Sequence, residues 1–187
     1  MLKKTVVMVG MMGAGKSAIG KSLAAALGVA FIDSDAEIEK SANSTIAEIF
    51  ERDGEAFFRS AETKVLARLL SGPPVVLSTG GGAFMRAENR DIISATGVSL
   101  LLDADLELLW ERVRHKDTRP LLQTDNPKQT LADIYAKRAP IYAMADLRVE
   151  TKASYSIDDT TQAAIQVLKT RPDVLPKPDV LPKDAKL

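Results

Sequence analysis

Short apolar runs alternate with segments of helical periodicity along most of the chain. The first run, Val6 to Val9, is β-branched and nearly free of charge, as is typical of a strand buried on both faces. Apolar residues then recur at helical spacing from Ile19 to Leu27, and Gly28 supplies a stop signal. Similar apolar runs predict further strands at residues 30–33, 75–78, 98–103 and 147–150.

Several segments between these runs carry the start signals of helices. Thr45 with Glu48, and Ser156 with Asp159, have the spacing of capping boxes. The dipeptide Asp53-Gly54 interrupts the first of these helical regions. Helices are therefore predicted at residues 45–50, 55–70, 86–95, 105–113, 127–137 and 156–168.

The most specific motif lies between the first strand and the first helix. Gly10 to Ser17 matches the phosphate-loop pattern G-x-x-x-x-G-K-S/T at every fixed position, in the strand–loop–helix context that the pattern requires. Backbone N–H groups and the helix dipole converge on a phosphate in such a loop. Lys16 can reach the outer phosphates, and the Ser17 hydroxyl can coordinate Mg²⁺. A Gly-rich turn before an ordinary helix is the alternative, but the complete pattern favours a nucleotide-phosphate site.

Two carboxylates, Asp33 and Asp35, follow the second predicted strand. At this spacing they can share a site near a metal ion or a hydroxyl group. Aspartate also commonly caps a helix, here one that would begin at Ala36. The position of the pair, one βα unit after a phosphate loop, favours the functional interpretation.

Three other segments are ambiguous from the residues alone. Arg59 precedes Glu62 by one helical turn and could be a solvated arginine with a surface partner. Gly80 to Gly82 follow a buried-type strand, which favours close approach of a ligand over a flexible turn. The basic, irregular segment 112–126 has the character of a lid over a nucleotide, although a solvated charged loop has the same composition.

Composition mainly excludes classes of function. A chain of 187 residues with 45% hydrophobic and 27% charged residues is typical of one globular domain. Its 25 basic residues balance 25 acidic residues, so no general attraction to nucleic acid or membrane is expected. No apolar run reaches the length of a membrane span, and residues 1–4 lead directly into the first predicted strand, so no signal peptide is expected. The chain has no cysteine, which excludes disulfides and thiolate chemistry. It has a single histidine, His115, which argues against a histidine-based metal site or triad.

The end of the chain differs in kind from the rest. Residues 172–177 are repeated without change as residues 178–183, and proline at this density excludes regular helix or sheet. We therefore expect one folded domain over residues 1–170. Residues 171–187 are expected to form a disordered, proline-rich tail with few contacts to the core.

Taken together, these motifs resemble those of shikimate kinases. The resemblance extends from about Thr5 to Leu168 and depends on separated motifs that follow one another in the family's order. They are the phosphate loop at residues 10–17, Asp33-Ser34-Asp35, Asp53-Gly54-Glu55 with Phe58-Arg59 and Glu62, Thr79-Gly80-Gly81-Gly82, Arg119-Pro120-Leu121-Leu122, and Arg138-Ala139-Pro140-Ile141-Tyr142.

The resemblance implies an α/β, three-layer P-loop kinase fold: a five-stranded parallel sheet flanked by helices, with a mobile lid at about residues 112–126. It implies transfer of the ATP γ-phosphoryl group to the 3-hydroxyl of shikimate, giving shikimate 3-phosphate and ADP in chorismate and aromatic amino-acid biosynthesis. The implied partners are ATP and shikimate, with Mg²⁺ as cofactor and without nucleic acid or membrane. The expected state is a monomer in the cytoplasm.

The resemblance also implies roles for individual residues. Asp35 is the expected base, and Lys16 and Arg119 are the other expected catalytic residues, with Arg119 reaching the phosphates from the lid. Mg²⁺ is expected on Ser17 and, through water, on Asp33. The expected ATP-binding residues are Gly13, Ala14, Gly15, Lys16, Ser17, Ala18 and Arg119, and the expected shikimate-binding residues are Asp35, Arg59, Gly81 and Arg138.

Two positions depart from the family pattern, both on the nucleotide side. Ala18 stands where the family usually has threonine or serine, and the loop 152–156, which edges the adenine in the family, lacks the proline often found there. One alternative function is that of a related small-molecule kinase such as gluconate kinase, which has no evident need for both Arg59 and Arg138 around one carboxylated ring. A non-enzymatic nucleotide-binding switch is the other alternative.

Overall fold

The structure is a computed structural model that describes residues 1–115 and 120–176. Its strands form one parallel sheet in the order β2-β3-β1-β4-β5, which confirms the predicted five-stranded sheet. The strands are β1 (Thr5–Val9), β2 (Phe31–Asp33), β3 (Val76–Ser78), β4 (Gly97–Asp103) and β5 (Leu147–Glu150).

Helices connect the strands and flank the sheet. The first helix, α1 (Lys16–Leu27), begins inside the phosphate loop and ends at Gly28, which has the left-handed conformation expected of a C-cap glycine. No helix of the described ranges is long and apolar enough to cross a membrane. The others are α2 (Ser34–Ala42), α3 (Ile46–Leu70), α4 (Ala87–Thr96), α5 (Leu106–Val113), α6 (Pro127–Tyr142) and α7 (Ile157–Leu168), with 3-10 helices at Ala83–Met85 and Pro120–Leu122.

The central strand β1 determines where the functional loops meet. All of its residues are buried, and Val7 pairs in register with Leu77 of β3 and Ser99 of β4. Because the strands are parallel, the loops that follow β1, β2 and β3 leave the sheet at the same edge. This edge carries the phosphate loop, the Asp33-Ser34-Asp35 segment and the glycine segment Gly80 to Gly82 (hereafter the glycine segment).

A kink divides α3 at the position that the sequence predicts. The capping box of Thr45 and Glu48 begins the helix, which is as predicted. Gly54 then adopts φ 80° and ψ 173°, a conformation that a residue with a Cβ rarely takes. The kink turns the second half of α3, which carries Arg59, in a new direction.

The two largest differences from the predicted helix boundaries lie in α2 and α6. The helix α2 begins at Ser34 rather than at Ala36, because the Asp33 side chain caps it by accepting a 3.0 Å hydrogen bond from the Asp35 N–H. The helix α6 does not end at residue 137 but continues through Pro140 to Tyr142. Proline removes one helical hydrogen bond, but the packing of the helix can outweigh the free-energy cost of this loss.

The first copy of the proline repeat packs against the body, so the expectation of a detached tail from residue 171 onwards is wrong for residues 171–176. Val174 is 0% exposed and Leu175 is 8% exposed. The Lys3 N–H donates to the Val174 carbonyl at 2.8 Å, and Lys4 pairs with Asp173 at 3.0 Å. Proline excludes regular structure here, but it does not prevent the apolar residues between the prolines from joining the core. Residues 177–187 lie outside the described residues.

Truncation of the chain after Arg171 should lower the free energy of unfolding by about 2–4 kcal/mol, because Val174 and Leu175 each contribute about 1.5–3 kcal/mol when fully buried, as an upper estimate. Urea unfolding followed by circular dichroism measures this change. Truncation after Pro176 keeps both apolar residues and is the matched control. Equal stability of the two truncated proteins would contradict the packing described above.

Candidate active site

The carboxyl edge of the sheet opens into a cavity of about 520 Å³. Its lining includes Lys16 and Ser17 of α1, Asp33 and Asp35 near the start of α2, and Gly80 after β3. Motifs that are far apart along the chain therefore meet in one site.

The phosphate loop packs closely against α5, the helix that follows β4. Gly13 has a φ of 83°, and a Cβ on this residue would lie 2.7 Å from the Val113 side chain of α5. A side chain here is excluded both by the backbone conformation and by space. The loop therefore packs directly against α5 at this glycine.

Lys16 folds back over the loop from which it comes. Its Nζ atom donates to the carbonyl oxygens of Gly10 and Met11 at 2.8 and 3.0 Å. The ammonium group therefore lies beside the N-terminus of α1, where the helix dipole is positive. The charge of Lys16 is thus held at the loop that is predicted to bind phosphate.

Asp33 and Asp35 both line the cavity, but their surroundings differ. One oxygen of Asp33 is occupied as the cap of α2. Asp35 Oδ1 is buried and has no hydrogen-bond partner among residues 1–115 and 120–176. The same atom would lie 2.8 Å from a Cβ on Gly80, so a glycine is needed for this approach. A buried acceptor without a donor is costly, and a substrate hydroxyl is a group that would satisfy it.

Asp35 is more basic than an ordinary aspartate. Burial, followed by the nearby carboxylates of Asp33 and Glu62, raises the pKa of Asp35 to about 6, although Lys16 acts in the opposite direction. At neutral pH the group is therefore ionised and still close to the pKa that favours proton acceptance.

Arg59 is not the solvated arginine that its sequence allows. Its Nη1 atom forms an ion pair with Glu62 Oε2 at 3.0 Å. The Glu62 side chain is only 2% exposed, so this is not a surface ion pair. The guanidinium carbon also lies 5.0 Å from the centre of the Phe58 ring. Two guanidinium nitrogens would each meet a Cβ on Gly82 at 2.8 Å. These contacts hold the guanidinium against the glycine segment.

The helix α6 brings Arg138 to the same glycine segment. Arg138 Nη1 would lie 3.2 Å from a Cβ on Gly81, next to the place where Arg59 approaches Gly82. One turn later, Tyr142 donates a 2.5 Å hydrogen bond to the Gly81 carbonyl. Two guanidinium groups thus approach neighbouring residues, an arrangement in which both could bind one carboxylate.

The structure brings together the predicted residues that it describes, although not all of them line the cavity. Arg59 and Arg138 are not part of the lining, but they lie beside the glycine segment, at what we call the glycine end of the site. Arg119 lies outside the described residues. The predicted residues in the lining are Gly13, Ala14, Gly15, Lys16, Ser17, Ala18, Asp33, Asp35 and Gly81.

Two side chains at the site have no predicted role. Arg112 lines the cavity, and its Nη1 atom donates to the carbonyl oxygens of Gly13 and Ala14, each at 3.3 Å. The sequence places it only in a basic segment, because its contact with the phosphate loop depends on how α5 packs. Tyr142 is only the last residue of the motif at residues 138–142, and the contact of its hydroxyl group depends on the continuation of α6.

The donor set of the cavity fits Mg²⁺. The Ser17 hydroxyl and the Asp33 carboxylate, both in the lining, are the hard oxygen donors that this ion prefers. Within residues 1–115 and 120–176, no group of three or more histidine, cysteine, aspartate or glutamate side chains could hold a metal ion. A site with one or two protein oxygens is usual for Mg²⁺ that is also bound by phosphates and water.

Comparison with known proteins decides the family. A family model for shikimate kinase matches residues 12–169. The chain is 61% identical to the shikimate kinase of Ruegeria pomeroyi over 174 residues, which cover 93% of this chain and 89% of that protein. The shikimate kinase of Cereibacter sphaeroides is 60% identical over 174 residues, covering 93% and 87% of the two chains. The chain belongs to the shikimate kinase family.

Solved structures agree with this assignment. A shikimate kinase from Acinetobacter baumannii in complex with shikimate has a TM-score of 0.83 at 40% identity, covering 89% of this chain and 93% of that one. The P-loop kinase fold and the prediction of an ATP-dependent shikimate kinase are confirmed. A gluconokinase from Sinorhizobium meliloti 1021 has a TM-score of 0.60 at 20% identity over 90% of this chain and 93% of that one, which shows a common fold alone.

Replacement of Lys16 by alanine should reduce kcat by roughly 10²–10³-fold, because the positive charge expected beside the transferred phosphoryl group is lost. ADP release with ATP and shikimate measures the effect, and thermal unfolding should show that the fold survives. Lys21→Ala, an exposed position on the same helix, is the matched control. Turnover by Lys16→Ala near the parent rate would refute the role of the phosphate loop.

Replacement of Asp35 by asparagine should reduce kcat at pH 8 by roughly 10²-fold or more, since the basic carboxylate is lost. The same change should stabilise the protein. The folded-state pKa of about 6 lies above the ordinary value of 3.8, so the stability that Asp35 contributes at low pH is lost as pH rises through about 6. At pH 8 the variant should be more stable by about 1–2 kcal/mol, a value reduced for the partial exposure of the group.

This gain in stability should shrink as pH falls from about 6 to below 3.8, where Asp35 is protonated in both the folded and the unfolded protein. Urea unfolding at several pH values measures it, and the exposed Asp91→Asn change on α4 is the control for loss of a surface carboxylate. An Asp35→Asn variant that retains kcat, with only a higher Mg²⁺ requirement, would move Asp35 to the metal side of the site.

Proposed function

We propose that the chain binds shikimate between the Asp35 carboxylate and the guanidinium groups of Arg59 and Arg138, and that Asp35 accepts the proton of the 3-hydroxyl as it is phosphorylated. The proposal depends above all on Asp35 Oδ1, a buried acceptor at the junction of the phosphate loop and the glycine segment, without a hydrogen-bond donor among the described residues. An acceptor hydroxyl in this position would supply the missing donor.

The charges around the glycine segment suit the two ends of this acceptor. Shikimate is a small ring with a carboxylate and several hydroxyl groups. Its carboxylate pairs with the planar forks of Arg59 and Arg138, whose approach to Gly82 and Gly81 leaves both groups at one end of the site. Its hydroxyl groups then face Asp35, towards the phosphate loop.

On the phosphate side, the chain provides positive charge and alignment rather than a covalent nucleophile. The residues from Gly13 to Ala18 hold the ATP phosphates through backbone N–H groups, and Lys16 neutralises charge on the transferred group. The Ser17 hydroxyl would hold Mg²⁺, with Asp33 acting through water, and the ion would neutralise phosphate oxygens. We assign Arg119, in the lid at about residues 112–126, to the same phosphates.

The proposed setting is a monomer in the cytoplasm that acts without nucleic acid or membrane. The sequence has a formal net charge of zero, which offers no general attraction to polyanions.

The deciding experiment compares ADP release with ATP and shikimate, with ATP and gluconate, and with ATP alone. We expect turnover that depends on shikimate. Equal rates of ADP release with and without shikimate would favour a nucleotide-binding protein that does not use this acceptor. A preference for gluconate would overturn the assignment of shikimate as the acceptor.

The proposed binding of the shikimate carboxylate by Arg59 and Arg138 (hereafter the carboxylate clamp) makes a more specific prediction. Replacement of Arg59 or Arg138 by lysine keeps the charge but removes the planar fork, so kcat/KM for shikimate should fall roughly 10- to 100-fold. The KM for ATP should change little, because neither side chain is assigned to the phosphates. Arg68→Lys, an exposed ion pair on the same helix as Arg59, is the control. Loss of ATP binding with unchanged use of shikimate would show that the clamp is wrong.

A further inference from the structure

Tyr142 is a buried tyrosine whose hydroxyl lies at the glycine end of the site. We propose that Tyr142 is a positioning residue, which sets the Gly81 backbone and the Arg138 guanidinium relative to each other through one phenol oxygen. This inference rests on the proposed roles of Gly81 and Arg138 in binding shikimate. Tyr142 itself needs no contact with the substrate.

The helix α6 places both side chains on the same face. Arg138 and Tyr142 are four residues apart, and residues at this spacing are neighbours on a helix. This depends on the continuation of α6 beyond Pro140, after which the Ala143 N–H still bonds to the Ala139 carbonyl at 2.9 Å. A helix that ended at the proline would not keep the tyrosine in register with the arginine.

The phenol oxygen lies where the helix and the glycine segment meet. It donates to the Gly81 carbonyl at 2.5 Å. Around the point that a Cβ on Gly81 would occupy, Arg138 Nη1 lies at 3.2 Å and Tyr142 Oη at 3.5 Å. A phenol oxygen can donate one hydrogen bond and accept others, so it can serve the carbonyl and the guanidinium together.

The phenol keeps the proton that this arrangement needs. Burial raises the pKa of Tyr142, although the charge and hydrogen bonding of Arg138 oppose the shift. The hydroxyl is therefore neutral at physiological pH and remains a donor to the Gly81 carbonyl.

The ring of Tyr142 has little freedom to move the hydroxyl away. The residue is 3% exposed, and its ring stacks on Phe84 with a centroid separation of 6.4 Å and an interplanar angle of 13°. Phe84 belongs to the 3-10 helix that directly follows Gly82. The ring is therefore held by the same stretch of chain whose carbonyl the hydroxyl contacts.

Loss of the hydroxyl alone should affect the acceptor side of the site. The Gly81 carbonyl would lose its donor and Arg138 would lose a partner beside its guanidinium, while the ring and its packing remain. Because a carboxylate is recognised by the orientation of a planar fork, a small rotation of Arg138 weakens binding. The phosphate loop keeps its own contacts, including those of Lys16 with Gly10 and Met11.

The first test is Tyr142→Phe, which removes only the hydroxyl. We expect KM for shikimate to rise about 5- to 20-fold, with a smaller change in kcat and a change in KM for ATP of less than about twofold. Tyr135→Phe, a partly buried tyrosine on the same helix, is the control and should leave both KM values unchanged. Equal losses on both substrates, accompanied by a lower melting temperature, would mean a structural role only and would overturn the proposal.

A double-mutant cycle with Arg138→Lys separates this proposal from the one on which it rests. If Tyr142 acts through Arg138, the effect of Tyr142→Phe on shikimate should be several-fold smaller in the Arg138→Lys background than in the parent. Independent, multiplicative effects would overturn the positioning role. If Arg138→Lys impairs shikimate use and Tyr142→Phe does not, only the positioning role fails. If Arg138→Lys spares shikimate, the carboxylate clamp itself fails.

Discussion

The site depends on one steric constraint: other elements occupy the space that a Cβ would need at several glycines of the carboxyl edge. Asp35 approaches Gly80 and Arg59 approaches Gly82, each to 2.8 Å of the missing atom, and Val113 reaches within 2.7 Å at Gly13. Three helices are thereby set against loops that leave different strands. A methyl group at Gly80 or Gly82 would displace a side chain with an assigned role, and a methyl group at Gly13 would displace Val113 or the backbone of the phosphate loop.

The charges of the site are arranged at a cost to the fold. Glu62 and Asp35 are both sheltered from water, and burial raises the pKa of each. Arg59 offsets the cost for Glu62 through a direct ion pair, whereas Asp35 Oδ1 has no such partner in the described part of the chain. Stability is thus given up at the one carboxylate to which we assign proton transfer, as is common for catalytic groups.

Features with a local cause could be predicted from the sequence. The capping box at Thr45, the kink at Gly54 and the phosphate loop each follow from a few adjacent residues. Features decided by packing could not be predicted. Whether Glu62 is a buried partner of Arg59 or a surface pair, and whether Tyr142 belongs to α6, depend on elements distant in sequence. The aspartate pair shows an intermediate case, because either carboxylate could have capped the next helix.

The docked part of the proline repeat has a consequence for variation in chain length. Residues 172–177 and 178–183 are identical, so a deletion of either copy leaves Arg171 followed by the same six residues. The segment that buries Val174 and Leu175 would therefore be present in a chain with one copy or with two. Gain or loss of a repeat unit, a common kind of change in duplicated sequence, can alter how far the chain extends without altering what covers this part of the core.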